Sequence, residues 1–542
     1  MQYTEKYDLW MRKVRDKKLL AELENMTEEQ KSTAFFKNIE FGTAGMRGIV
    51  GAGTNCMNIY TVGKVTEAIA RYLENMKKPS LAVSYDSRNM SKEFSKLVCR
   101  ICALHGIKVY CADKMMPTPF LSYMVRYYHC NLGIMITASH NPKEYNGYKV
   151  YDENGCQLLE EPSREIMKLA ESIDMFNVKT TCLKNAVKNG TVVYTDDKIK
   201  NSYFKCVKAV SLGKIKNLKI VYSALNGTGI NSTPELLTSR GVEVVLNKTQ
   251  CKEDKNFTTC PYPNPERKDV FETSEKIADK VHADLIIATD PDADRVGIEV
   301  KDGDSYRPFT GNEVGALLTD YILSKSGKKG YIVRSIVSTS LVDKIAKNYG
   351  SEVKTVLTGF KYIGDFIHKL ESQNLADKFL LGFEESYGYL AGTYVRDKDA
   401  TVASMLICEL ASECKKQGKT LVDKINELYK NYGLYEHVVK SYRFEGKSGN
   451  DKMKSLLDSF RQKPFDMIGS QKVEKFTDYK KGVSDLPPAD VLEYDLANGG
   501  KIIIRPSGTE PLIKVYITYS KDKDSNKLNF DDSMNFLKKV FA

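Results

Sequence analysis

The sequence predicts an α/β protein: three α/β domains with mixed or parallel sheets, followed by a C-terminal α+β domain. Three observations carry that reading. Short apolar segments alternate with helical patterns over roughly the first 435 residues, the rhythm of βαβ units whose active loops lie at strand ends. The last hundred residues or so abandon that rhythm for two strands flanking a loop, closed by a helix. The chain of 542 residues holds three or four domains at roughly 100–200 residues each.

Along the chain, Met1 to Leu20 is studded with Lys, Arg, Asp and Glu and has no apolar h-region. It is therefore not a secretory signal. It reads as one amphipathic helix with Tyr7, Trp10, Met11 and Val14 on a face that docks on a neighbouring domain. The first block follows, with a strand at Leu81–Tyr85, a helix from about Ser91 to His105 and a strand at Lys108–Tyr110. Strands near Lys219–Tyr222, Val242–Val245 and Leu285–Ile287 mark the second block. Those near Tyr331–Val333, Val353–Val356 and Phe379–Leu381 mark the third. The expected domains are 1–200, including the N-terminal helical extension, then 201–305, 306–435 and 436–542. The polar segment from Glu445 to Ser470 reads as a linker and mobile hinge. No tandem short repeat or low-complexity tract is apparent.

Composition narrows the function classes. A hydrophobic content of 42% is ordinary for a folded, soluble chain, and no segment approaches the roughly 20 apolar residues of a membrane span. The 12 cysteines are scattered, several (Cys99, Cys102, Cys111, Cys408) in apolar contexts. Cys99 and Cys102 have CxxC spacing but no second pair, which is too few ligands for structural zinc. Buried reduced thiols in a cytoplasmic protein fit better. The net charge of +11 is spread along the chain without a basic block interleaved with aromatics. That pattern excludes nucleic acid as a partner and suits an anionic small substrate.

Four loops carry the chemistry. In Thr137–Asn146, Ser139 follows the apolar run Gly133–Ile136, with Pro142 preventing the strand from continuing. His140 is adjacent and Lys149 follows, so a hydroxyl, a titratable ring and a cation lie within eleven residues. Taken alone, such a Ser-His pair reads first as a turn. Asp290, Asp292 and Asp294 alternate directly after the apolar run Leu285–Ile287. Three carboxylates so close repel unless a cation sits among them, and oxygen-only ligands suit a hard ion such as Mg²⁺. An EF-hand is excluded, since Arg295 occupies the glycine position and Lys301 the bidentate glutamate position. In Gly382–Gly388, Glu384, Glu385 and Ser386 can accept hydrogen bonds from sugar hydroxyls; the alternative is an acid-rich helix N-terminus. In Arg505–Thr509, a guanidinium, two hydroxyls and free backbone N–H groups form an anion nest, where the alternative is an ordinary hairpin turn. Standard phosphate motifs are missing: Ser441 replaces the leading glycine of a P-loop, and Ser232 the third glycine of a dinucleotide fingerprint. No G-x-S-x-G is present, which argues against an α/β-hydrolase.

In this order and at these separations the four loops resemble the α-D-phosphohexomutase superfamily of phosphoglucomutases and phosphomannomutases. The segment Phe41–Gly48 resembles that family's N-terminal signature, and the match covers nearly the whole chain. The Glu384-Glu385-Ser386 form, the length and the N-terminal extension favour the phosphoglucomutase-like branch. The resemblance implies four domains around one central cleft, each contributing one loop. It implies that Ser139 carries the phosphoryl group and that Asp290, Asp292, Asp294 and an oxygen on Ser139 hold one Mg²⁺. Arg47, His140, Lys149 and Arg295 then surround the transferring group. Thr43, Arg47, Asp294, Arg295, Gly359, Glu384, Ser386 and Lys398 contact the substrate, while Arg505, Ser507, Gly508 and Thr509 take its non-reacting phosphate. One departure is Gly388, where members that accept both glucose and mannose phosphates often carry a histidine. The implied reaction interconverts α-D-glucose 1-phosphate and glucose 6-phosphate, with glucose 1,6-bisphosphate as intermediate and activator. Phosphomannomutase, phosphopentomutase and sugar-bisphosphate synthase are the alternatives on the same scaffold. A monomer or weak homodimer in the cytoplasm is the expected state. A catalytically silent scaffold is disfavoured by intact Ser139, the three aspartates and Arg505. A Ser-His hydrolase is disfavoured because the reacting base in such triads is rarely the adjacent residue.

Overall fold

Among the described residues, three of the four sheets are built on one plan. The computed structural model describes residues 2–42, 45–444, 446–507, 512–521 and 530–541. In the first sheet the strands Tyr145–Tyr151, Leu132–Ile136, Ser80–Tyr85 and Lys108–Cys111 lie side by side in that order. In the second, the same places are taken by Val296–Asp302, Leu285–Thr289, Lys219–Ser223 and Glu243–Leu246. In the third they are taken by Gly388–Leu390, Phe379–Glu384, Tyr331–Ser335 and Glu352–Val356. Each time the last three strands are parallel and the first runs antiparallel to its neighbour. The chain therefore leaves a buried parallel strand, turns, and returns beside it. The three reversals carry Ser139, the aspartates and Glu385–Tyr387. The sheets are mixed because of this returning strand. A repeat of topology that leaves no tandem repeat in sequence is physically ordinary, since a buried strand demands apolar residues but not the same ones.

The strands are apolar because both faces are covered: Leu132–Ile136 and Leu285–Thr289 are buried at every position. One continuous core runs through the first three units, from Phe120 and Tyr203 through Ile287 and Leu317 to Met405. At its centre the helix Ala400–Lys416 is buried along most of its length. Asp399 caps that helix, accepting from Thr401 N and Val402 N, and also accepts the hydroxyls of Tyr203 at 2.8 Å and Tyr394 at 2.5 Å. The fourth unit has its own core, with Leu457, Phe460, Ile504 and Ile517. It meets the third through Ile336, Leu357, Tyr479, Ile503 and Tyr516. Its sheet places Leu434–Arg443 beside Leu512–Lys521, which pairs in turn with Lys501–Pro506. The helix Phe530–Phe541 follows, so the expected strand–loop–strand–helix order holds.

Two expectations are corrected. The N-terminal segment is not one helix: Tyr3–Lys13 ends at Val14, and Lys17–Glu24 starts anew. Asp16 is the cause, because its carboxylate caps the second helix by accepting from Lys18 N and Leu19 N. Trp10 is still the anchor, packed edge-on to Phe35, Tyr60 and Phe176. The segment from Glu445 to Ser470 is not a linker: Gly446–Gln462 is a helix, with Leu457 and Phe460 buried in the C-terminal core. Met453, Leu456, Leu457 and Phe460 recur at helical spacing inside a polar sequence. None of the described helices is long and apolar enough to cross a membrane.

Candidate active site

The site assembles where the three reversals meet. Ser139 is held at φ +53°, a left-handed conformation uncommon outside glycine. Its N–H donates to Thr137 Oγ1 at 2.8 Å and its hydroxyl to Asp290 Oδ2 at 2.8 Å, with His140 Nδ1 3.2 Å away. Serine loop and aspartate loop, 151 residues apart in sequence, thus touch through their functional atoms.

Asp290 Oδ1 accepts the backbone N–H of Asp294 and of Arg295, which curls the loop so that its carboxylates converge. Oxygens of Asp290, Asp292 and Asp294 lie within 4.8 Å of one another, all three buried. Burial and the charge of Asp292 drive the Asp290 carboxyl well above the usual range. Although burial opposes it, Lys149 and hydrogen bonds hold Asp292 well below that range. Lys149 Nζ donates to Asp292 Oδ2 at 2.7 Å and lies 3.4 Å from Asp294 Oδ2. Burial alone would lower the Lys149 ammonium, but these carboxylates outweigh it and raise its pKa. Asp292 Oδ1 and Asp294 Oδ1 are buried and hydrogen-bonded to no group. Three hard oxygen donors, two of them carrying unused buried oxygens, fit a divalent cation such as Mg²⁺.

The third reversal is a hairpin turn and not a helix N-terminus. Arg295 and Gly388 form a backbone bridge, and Val296 N donates to Tyr387 O at 3.0 Å, fastening the acid loop to the aspartate loop. Glu384 accepts from Gly359 N at 2.7 Å, which orients its carboxylate. Glu385 takes the hydroxyls of Ser335 at 3.1 Å and Ser338 at 3.4 Å, and burial beside Glu384 pushes its pKa up to about 7. Ser386 lies in the turn, half-buried. Arg295 Nη1 pairs with Glu266 Oε1 at 2.5 Å, and Arg47 Nη1 donates to Asn141 Oδ1 at 2.8 Å on the serine loop. Burial, together with the charges of Arg295 and Arg47, holds the His140 ring well below its ordinary pKa.

Lys398 Nζ bridges Asp294 Oδ2 at 3.1 Å and Asp397 Oδ1 at 3.0 Å, and so reaches the aspartate loop itself. It also explains Gly388. A Cβ at position 388 would sit 2.1 Å from Lys398 Cδ, so the lysine stem fills the space any side chain there would need. Arg505 ends the strand Lys501–Pro506. Burial, with the charge of Glu385 adding to it, raises the Tyr516 hydroxyl, and Arg505 opposes. Ser507 N donates to Leu512 O at 2.8 Å across the loop base. Thr43, Gly508 and Thr509 lie outside the described residues.

Several neighbours went unmarked in the sequence. Thr118 donates its hydroxyl to Asp292 Oδ2 at 2.7 Å from 174 residues away. Asp397 holds Lys398 and accepts the Tyr151 hydroxyl at 2.7 Å. Lys361 lies near Arg505, and burial, Arg505 adding to it, lowers its ammonium. Asp86 and Arg88 back the serine loop. Their one local signal is a polar run, Asp86-Ser87-Arg88, directly after the buried strand Ser80–Tyr85.

Comparison with known proteins matches four phosphoglucomutase/phosphomannomutase domains: alpha/beta/alpha domain I at residues 38–176, domain II at 198–303, domain III at 310–432 and the C-terminal domain at 464–528. A phosphoglucomutase of Staphylococcus aureus is 37% identical over 534 residues, covering 94% of this chain and 95% of that protein. One of Staphylococcus saprophyticus is also 37% identical, covering 94% and 96%. Among solved structures, a putative phosphomannomutase from Thermus thermophilus superposes with a TM-score of 0.71 at 21% identity, covering 93% of this chain and 99% of that one. The open form of the phosphoglucomutase parafusin from Paramecium gives 0.67 at 18%, covering 93% and 95%. At those identities the two structures show a shared fold.

Proposed function

The chain belongs to the phosphoglucomutase/phosphomannomutase family, and on that premise we propose that it interconverts α-D-glucose 1-phosphate and glucose 6-phosphate through a phosphoserine enzyme. The observation that carries the reading is the contact of Ser139 Oγ with Asp290 inside a set of three buried carboxylates. One Mg²⁺ per chain, bound by Asp290, Asp292, Asp294 and an oxygen on Ser139, would neutralise charge on the group in transit. The state that goes with this reading is a cytoplasmic monomer or weak homodimer, activated by glucose 1,6-bisphosphate.

The chain's residues then divide the work. The P–O bond to Ser139 Oγ breaks while a new one forms to a free hydroxyl oxygen of the hexose phosphate, which gives up its proton as Ser139 Oγ gains one, giving the 1,6-bisphosphate. The bisphosphate turns over and returns its other phosphate to Ser139. Arg295 and Lys149 stabilise the negative charge spread over the transferring oxygens. His140, beside Ser139 Oγ, is placed to exchange a proton on the serine side. Glu384 and Ser386 orient the sugar ring, and Lys398 approaches from the same wall. Arg505, with Ser507, Gly508 and Thr509, takes the phosphate that is not reacting. That nest must accept either phosphate, because each is distal in one half of the cycle.

Glucose is the favoured sugar because the curated relatives at 37% identity are phosphoglucomutases. A panel of glucose, mannose and pentose 1-phosphates, compared by kcat/KM with glucose 1,6-bisphosphate present, tests this. Glucose 1-phosphate is expected to lead. A lead for another sugar would overturn the preference, and release of free phosphate in place of isomerisation would overturn the mutase reading. EDTA is expected to abolish turnover and Mg²⁺ to restore it. Asp292→Asn should weaken metal binding sharply while circular dichroism stays unchanged; full activity in chelator would contradict the cation site.

A further inference from the structure

We infer that Arg88 is a positioning residue for phosphoryl transfer, which holds the Ser139 loop in register with the aspartate loop. The inference rests on the phosphoserine reading above and goes beyond it. Arg88 lies outside every motif that reading uses, and its side chain is wholly buried with that of Asp86.

A buried guanidinium must place its N–H groups on acceptors, and here they close almost entirely on one loop. Nη1 donates to the carbonyls of Pro142 at 2.8 Å and Tyr145 at 3.1 Å. Nη2 donates to the carbonyls of Ser139 and Asn141. One planar group thus fixes four backbone carbonyls of a seven-residue turn, including that of the reacting serine. The charge is balanced by Asp86, whose Oδ2 lies 3.2 Å from Arg88 Nε. The same carboxylate accepts the Thr137 hydroxyl at 2.6 Å, and Thr137 Oγ1 accepts the N–H of Ser139. Ser139 is therefore held on both sides of its Cα, through its carbonyl by Arg88 and through its N–H by Asp86 via Thr137. This explains how the loop sustains a left-handed serine, a conformation that persists only when its surroundings over-determine it.

The guanidinium also faces out of its own unit. Its carbon lies 5.0 Å from the centre of the Phe257 ring. Phe257 belongs to the second unit's core, with Val221, Ile286 and Ala288 from the strands beneath the aspartate loop. Arg88 thus touches the serine loop with its edges and the foundation of the aspartate loop with its face. Transfer between Ser139 and substrate depends on that mutual placement, and misplacement by about 1 Å costs on the order of 10²-fold in rate. A lysine cannot reproduce the planar fork that reaches four carbonyls.

The test is kinetic, on the full-length enzyme with Mg²⁺. Arg88→Lys is expected to lower kcat by about 10²-fold, counted per Ser139 able to take phosphate, and to leave KM for glucose 1-phosphate nearly unchanged. The rate at which glucose 1,6-bisphosphate phosphorylates Ser139, followed by mass spectrometry, should fall in parallel. Phe257→Leu keeps the carbonyl contacts and loses the aromatic face, and should lower the same two rates less. A merely structural arginine would lower the melting temperature and the fraction of competent sites while kcat per competent site stayed at the wild-type value; that result overturns the inference. If Arg88→Lys does not fold, Phe257→Leu decides, and unchanged rates there overturn it equally. Wild-type enzyme in the same assay separates this from the parent reading, since failure to phosphorylate Ser139 at all would instead remove the phosphoserine premise.

Discussion

Gly388 and Lys398 compete for one space, because a Cβ at 388 would lie 2.1 Å from the lysine stem. Gly388→Ala should therefore displace Lys398 from Asp294, and we expect kcat/KM to fall by about tenfold or more with the fold intact. Unchanged kcat/KM would show that the stem yields without moving its ammonium. A second residue makes a prediction about pH. Glu299 is fully buried, and burial together with the neighbouring carboxylate of Glu275 pushes its pKa up to about 8. An unfolded glutamate loses its proton near pH 4.3, roughly its free value. Between the two values the native state holds the extra proton, so stability falls as pH rises through this window. Glu299→Gln should flatten that fall, seen as a smaller loss of melting temperature from pH 6 to 9 than in the wild type. An equal loss in both proteins would contradict it. At this scale the sequence marks the residues whose signal is local: Ser139, the three aspartates and Lys149, which the fold brings together. Arg88, Thr118 and Asp397 are not marked, because the contacts that tie them to the site, to the Ser139 loop, Asp292 and Tyr151, span tens to hundreds of residues, and neither motif nor period records such a contact.

Among the elements, the helix Ala400–Lys416 joins the site to the shared core. Asp399 caps it and also satisfies Tyr203 and Tyr394, so one carboxylate holds a helix start and two buried hydroxyls. Losing an N-cap costs about 1 kcal/mol, and each buried hydroxyl left unpaired adds about 1–3 kcal/mol. Asp399→Ala should lower the urea midpoint clearly, and Asp399→Asn should recover part of the loss; no change in midpoint would mean that water replaces the carboxylate. Strand positions were readable because burial on both faces makes apolar runs. The turns after them were readable because polar residues interrupt those runs abruptly. The helix Gly446–Gln462 reads as a linker in the sequence because its apolar stripe is narrow and its other faces are charged. The break at Asp16 leaves no mark in the sequence, because a cap in a charge-rich stretch looks like any other exposed acid.

At the scale of the whole molecule, three units share one core and converge three equivalent turns, while the fourth brings Arg505 on its own core. A charge-assisted contact to phosphate is worth roughly 1.5–3 kcal/mol, so Arg505→Ala should cost about one to two decades in kcat/KM. Arg505→Lys should recover only part, since an ammonium lacks the two-pronged geometry. The loss should appear with both the 1-phosphate and the 6-phosphate, and loss in one direction alone would contradict a shared distal-phosphate site. All of this depends on Ser139 being the group that carries phosphate between sugars. The direct measurement is a single turnover. Enzyme phosphorylated with glucose 1,6-bisphosphate is freed of excess ligand, mixed with isotopically labelled glucose 1-phosphate and quenched at short times. The Ser139 peptide and the sugars are then weighed by mass spectrometry. The account predicts phosphate on Ser139 at the start and its loss at the rate at which labelled 1,6-bisphosphate forms. Turnover by an enzyme whose Ser139 never carries phosphate, or by Ser139→Ala at the wild-type rate, would contradict it.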